Sequence, residues 1–212
     1  MVAQWLGTRG AGGTGGDRRA QWTHRAGSDS MGSMKLQTIA LALLLSPSVW
    51  AQPPSEALRP LLLGIDSVPT AAQLRAAVPD AEAQLSAAAR DKALGAYPRQ
   101  RAVSLLTVLG GEQALAAIID LTATGDEVVR AAAAYSLGRG FGASAPDAAL
   151  ATLRLALDEP AAHVRQAAAR ALRWVDRPSE VQAALEARAA REPDEATRRV
   201  IAAALGRLGA RP

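Results

Sequence analysis

The chain contains no cysteine. This excludes disulfide staples, thiolate metal sites, a cysteine nucleophile and an amino-terminal lipid carried on cysteine. Histidine is nearly as scarce: His24 and His163 are the two among 212 residues. A histidine-rich metal site or a Ser-His-Asp triad is therefore improbable. Aromatics make up 3% of the residues although 49% are hydrophobic. The apolar content rests on Ala and Leu, not on the β-branched and aromatic residues that favour strands, so helices are expected over sheet.

Net charge is +4 and the sequence pI is about 10.3, a balance that could suggest nucleic acid. The excess is unevenly placed. Residues 1–51 hold Arg9, Arg18, Arg19, Arg25 and Lys35 against Asp17 and Asp29. Removing these from the totals of 24 and 20 leaves 19 positive and 18 negative residues in 52–212, a net of +1. A nucleic-acid partner for the body loses its main support.

From Met34 the chain runs MKLQTIALALLLSPSVWAQ. Lys35 supplies a short positive start, Ile39 to Leu45 an apolar run, and Pro47 a break. Val49-Trp50-Ala51 offers small or β-branched residues where signal peptidase reads. Residues 34–51 thus resemble a Sec signal peptide cleaved after Ala51, which predicts a periplasmic or secreted protein; a buried amphipathic helix is the bland alternative. The run is too short to span about 30 Å of hydrocarbon, so no stable membrane span is expected. Residues 1–33 are rich in Gly, Thr and Arg without hydrophobic period. They are expected to be disordered and to precede the true start. Arg18-Arg19 lies too far from the apolar run for a twin-arginine signal. The glycines of Gly10 to Gly15 match a dinucleotide fingerprint by letters alone, with no strand before and no helix after.

The body repeats itself. In four places an Arg is followed seven residues later by Leu: Arg99 and Leu106, Arg130 and Leu137, Arg165 and Leu172, Arg198 and Leu205. Ala102, Ala133, Ala168 or Ile201 stands three residues after the Arg, and the Arg-to-Arg intervals are 31, 35 and 33. Each frame is preceded by a second helical segment. Glu112 to Ala123, Pro146 to Leu157 and Ser179 to Arg191 carry apolar residues at helical spacing. Between paired helices sit Thr124-Gly125-Asp126, Asp158-Glu159-Pro160 and Glu192-Pro193-Asp194, which combine helix-capping acids with proline. Gly110-Gly111, Gly138 to Gly142 and Asp176 to Pro178 close the units.

Two helices per unit of some thirty residues, stacked so that each pair covers its neighbour's apolar face, predict an all-α solenoid of about four antiparallel pairs over residues 80–212. Residues 52–79 are expected to form capping helices, Ser55 to Leu63 and Thr70 to Val78. Asp80 is expected to cap a helix from Ala81 to about Ala93, paired with Pro98–Leu109. Leu61, Leu62, Leu63 and Leu85 are candidate core.

Asp126, Val129, Arg130, Ala133 and Leu137 fit a frame that recurs at Val164, Arg165, Ala168, Ala171 and Leu172. This frame resembles that of the HEAT-repeat family, in particular the short HEAT-like repeats of the phycobilisome-lyase type. Pro98, Thr197 and Ile201 depart from it. The resemblance covers roughly residues 80–210 and implies a fold more than an activity. It also implies that the repeated arginines pair with the turn acids Asp126, Asp158 and Asp194 and fasten adjacent units; a ladder gripping an anionic ligand is the functional alternative.

No residue stands out as catalytic, cofactor-binding or metal-ligating. His163 is expected to be an exposed polar residue. Iron-binding HEAT-like enzymes carry repeated His-Glu pairs, which this sequence lacks. Gly138-Arg139-Gly140-Phe141-Gly142 is expected to be a flexible loop, not a phosphate cradle. The resemblance implies that the second helices line the concave side. Arg170, Arg173, Arg177, Arg199 and Arg207 lie on or near the last two of these, a candidate docking face for an acidic protein segment or simply a solvated face. Trp174 is a core plug or an interface anchor. The function expected is a non-catalytic, exported protein-interaction scaffold without cofactor, whose partner is a protein. The alternative is a lyase-like enzyme or enzyme accessory, which needs a polar pocket near Tyr97, Tyr135 or His163.

Overall fold

The computed structural model describes residues 55–65 and 67–209. The chain divides into Met1–Pro47 and Ser48–Pro212, and every described residue belongs to the second unit. The expected extension and signal peptide therefore lie outside the described residues, as does the final tripeptide.

Ten α-helices and no strand occur among the described residues. Two short ones, α1 (Leu58–Leu63) and α2 (Ala71–Ala77), precede four pairs: α3 (Ala81–Arg90) with α4 (Ala96–Leu109), α5 (Gly111–Thr124) with α6 (Glu127–Phe141), α7 (Pro146–Ala156) with α8 (Ala162–Ala171), and α9 (Pro178–Ala189) with α10 (Glu195–Gly209). The second helices pack in a row, α4 on α6, α6 on α8 and α8 on α10, while α3 meets α5 and α5 meets α7 in the other layer. This is the stacked-pair arrangement of a helical solenoid. The core runs along the stack instead of gathering at one centre, through Leu85, Leu105, Ile118, Leu137, Leu153, Leu172, Leu185 and Ile201. Burying each such side chain contributes on the order of 2 kcal/mol.

Local chemistry sets the helix starts. Asp126 accepts from Val129 N–H at 3.1 Å and caps α6, and Thr70 and Gln73 close a capping box at α2. Pro146 and Pro178 occupy first-turn positions where a missing N–H costs nothing. Between α4 and α5 the chain turns on Gly110 and Gly111, with φ of 65° and 80°, which other residues adopt only with strain.

Three expectations about local structure are corrected. Gly138 to Gly142 is not a flexible loop, because α6 continues through Phe141. A Cβ on Gly138 would meet the Ala171 carbonyl oxygen at 2.4 Å, and one on Gly140 would meet Thr107 at 2.9 Å. These glycines let α6 approach α8 and α4 closely. Asp80 makes no side-chain cap; it sits at φ 50° in the left-handed region, and Gln84 donates to the Pro79 carbonyl beside it. Leu63 is 54% exposed, and of the three consecutive leucines Leu62 is the buried one, because α1 is too short to cover more than one face.

Candidate functional site: an arginine-lined groove across the second helices

The four repeated arginines open the second helices, and their roles come first. Arg99 donates backward to the Ala89 carbonyl and forward to Asp126 at 2.5 Å. Arg130 donates to the Gly125 carbonyl and to Glu159 at 3.1 Å. Arg165 donates to the carbonyls of Glu159 and Pro160 and grips Glu192 with two bonds, of 2.9 and 2.7 Å. Arg198 donates to the carbonyls of Glu192 and Pro193. The first three follow one rule: each arginine bonds a carbonyl of the turn before its own helix, or in Arg99 of the last turn of α3, and reaches an acid of the next unit. These arginines are structural clamps rather than a ladder for a ligand.

The acids differ from those expected. Asp126 is a partner, but Arg130 takes Glu159 instead of Asp158, and Arg165 takes Glu192 instead of Asp194. Asp158 instead pairs with Arg188 and Arg191. Asp194 caps α10, accepting from the hydroxyl and N–H of Thr197. The Thr197 hydroxyl, with its N–H, holds the Asp194 carboxyl below its usual range. A side chain needs its oxygens on the facing edge of the turn to reach the preceding unit, and turn geometry selects which acid has them.

The deepest rung carries the strongest electrostatic signature. The Glu192 side chain is fully buried between Arg165 and Arg188. The hydrogen bonds from Arg165, assisted by the Asp194 N–H and Arg188, overcome its desolvation and hold the carboxyl at about 2. Arg165 is correspondingly raised, chiefly through its bonds to Glu192. At Asp126, burial opposes ionisation, but Arg99 and the Val129 N–H outweigh it and lower the carboxyl.

The candidate docking residues separate into two groups. Arg170 on α8, Arg173 on the 3-10 turn Leu172–Trp174, and Arg199 and Arg207 on α10 line one open groove of about 320 Å³, with Tyr135 of α6 at its other wall. Arg177 does not join them; it points to Asp147 of the preceding unit, Nε to Oδ1 at 2.9 Å. Arg199 has Glu195 at 3.5 Å one turn earlier. Among the described residues neither Arg170 nor Arg207 has a carboxylate within salt-bridge distance. The Arg173 guanidinium lies over the Trp174 ring at 3.9 Å, and Trp174 meets Tyr135 edge-on at 5.1 Å. Trp174 is half-buried, held between the Arg173 guanidinium and the Tyr135 ring.

A second hollow of about 310 Å³ also has Tyr135 on its lining, with Gln100, Ser104, Ala131, Ala132, Ser136 and His163 among others. No local motif marks it, since it joins α4, α6 and α8 across sixty residues. His163 is about half-exposed, as expected, but it has an acidic neighbour: its Nδ1 lies 2.7 Å from Glu127 Oε1. Tyr97 lies elsewhere and donates to the Gly64 carbonyl. Among the described residues no group of three or more His, Asp or Glu side chains comes together to hold a metal ion, and no helix is long and apolar enough to cross a membrane.

No protein-family model matches the chain, and no curated protein is significantly similar to it. Solved structures that resemble it include the following two. Human deoxyhypusine hydroxylase, in complex with glycerol, is similar at 29% identity and a TM-score of 0.51, over 61% of this chain and 44% of that one. The complex of CpcE and CpcF of phycocyanin lyase from Nostoc sp. PCC7120 is similar at 24% identity and a TM-score of 0.49, over 63% of this chain and 83% of that one. The chain spans less than half the length of the hydroxylase. With the stacked pairs and the arginine clamps, the first likeness supports a HEAT-like repeat fold.

Proposed function

We propose that this protein is a non-catalytic protein-interaction module, exported to the cell envelope after cleavage at Ala51, and that it takes an acidic protein segment on its second-helix face. The observation that carries the reading is the convergence of Arg170, Arg173, Arg199 and Arg207 on one groove. Clamp arginines elsewhere in the fold are spent on turn carbonyls and acids, whereas Arg170 and Arg207 face no carboxylate among the described residues. Four guanidinium groups at one surface raise the local positive potential although the body's net charge is +1, which favours a local acidic motif over a long polyanion.

A lyase-like enzyme or enzyme accessory is the second reading. The likeness to a hydroxylase and the hollow beside Tyr135 and His163 favour it. Its weakness is chemical: His163 is held by Glu127, and the neighbouring side chains Gln100, Ser104 and Ser136 are uncharged.

Purification of a carboxy-terminally tagged chain from the envelope tests the proposal. The expected material begins at Gln52 and carries a stoichiometric protein partner that the double substitution Arg170→Glu, Arg207→Glu releases. A cytoplasmic protein retaining Met34 would overturn export. A partner held equally by the double variant would overturn the binding face.

A further inference from the structure

We infer that the bound segment is an extended chain of about eight residues running across the second helices, its acidic half over α8 and α10 and an uncharged, small-residue half over α4 and α6. This rests on the interaction-module reading and adds the conformation and polarity of the occupant. Tyr135 lines both hollows, so side by side they run across the second helices from α4 to α10. Helices in contact lie about 8–10 Å apart, so four of them span about 27 Å. An extended chain covers that distance in about eight residues at about 3.3 Å each. A helix would need about eighteen residues to cross the same span at about 1.5 Å each, so an extended chain is the shorter segment that reaches both hollows.

Charge sets the direction. The hollow at α8 and α10 carries Arg170, Arg199 and Arg207, and carboxylates are favoured there. The hollow at α4 and α6 has Ala131, Ala132, Ser104 and Ser136 on its walls, and Glu127 sits against its His163. That carboxylate repels an acidic side chain from this hollow. Small walls of Ala and Ser suit Ala, Ser or Gly from the occupant. The partner motif is therefore a half-acidic, half-neutral extended stretch and not a uniformly acidic one.

Fluorescence anisotropy with the mature chain, residues 52–212, tests this with three labelled probes. One is a ten-residue peptide of five Ala, Ser and Gly residues followed by five acids; the second is the five acids alone; the third is a ten-nucleotide oligothymidylate. The composite peptide is expected to bind best. Ser104→Trp, at an exposed position that fills the neutral hollow, should bring its affinity down to that of the acids alone. Arg170→Glu with Arg207→Glu should weaken both peptides about tenfold or more, while Arg177→Glu changes neither. Unchanged melting temperatures establish that the variants fold. Equal binding of composite and acidic peptides, or tighter binding of oligothymidylate, overturns the inference. Absent peptide binding also overturns it, and if the intact chain still captures its envelope partner the module reading survives. Peptide binding as expected, in a chain that captures no envelope partner, upholds the extended occupant and overturns the module reading.

Discussion

Glu192 accepts two hydrogen bonds from Arg165, twenty-seven residues earlier in the chain, and joins the third helix pair to the fourth through a carboxylate with no exposed surface. Arg188 donates to the same carboxylate from α9, so a buried Arg-Glu-Arg triad lies at the junction. Such a triad is costly to assemble and more costly to break, because removing one member leaves a desolvated charge behind.

Arg165→Ala is therefore expected to destabilise the fold by about 3–5 kcal/mol. Arg198 occupies the equivalent position in the last pair, is exposed, and bonds turn carbonyls with no carboxylate of a following unit among the described residues. Arg198→Ala should cost under about 1 kcal/mol. Urea unfolding of both variants checks the contrast; equal losses would mean that the clamp does not work between units.

Acid should loosen the same junction. The Glu192 carboxyl titrates at about 2 when folded and near its ordinary 4.5 when unfolded. A depressed folded value gives stability that is fully present above the unfolded value and is lost as pH falls from about 4.5 towards 2. The amount is roughly 3 kcal/mol. Unfolding free energy measured between pH 6 and pH 2.5 should fall more steeply in the natural chain than in Glu192→Gln, which starts lower and has less to lose.

Two glycines of the second helices should respond oppositely to alanine. At Gly138 the new Cβ meets Ala171 oxygen at 2.4 Å and Ala171 Cβ at 2.8 Å, so α6 and α8 must separate. Gly138→Ala should cost about 1–3 kcal/mol. Gly206 has open space around it within α10, and Gly206→Ala should stabilise by about 0.5–1 kcal/mol through helix propensity. Thermal melts of the two variants should move in opposite directions.

Arg177 separates the groove from its surroundings. Its two-pronged bond to Asp147 is exposed, so Arg177→Ala should cost under about 1 kcal/mol and leave binding of the acidic peptide unchanged. A fall in affinity equal to that of Arg170→Ala would mean that the groove extends beyond the four arginines.

Much of the architecture is legible along the chain. The Arg-to-Leu spacing marks all four second helices, because a stacked repeat returns the same residue types to the same register in each copy. Asp126 is legible as both cap and clamp partner. Glu159 and Glu192 are not, since Asp158 and Asp194 stand one and two residues away with the same charge, and only the turn's path shows which carboxylate faces the preceding arginine. The glycines after Leu137 read as a loop in the sequence because glycine signals equally a break and a close helix approach.

Composition and periodicity along the chain suffice for a helical, repetitive body and exclude thiol chemistry, since neither depends on how the helices pack. Tertiary structure decided which of five candidate arginines share a surface. Arg170 and Arg207 meet across the stack while Arg177, only seven residues after Arg170, turns to Asp147. Side-chain neighbours in a solenoid are set by the rotation of one helix pair on the next, a quantity that no spacing within a single pair contains.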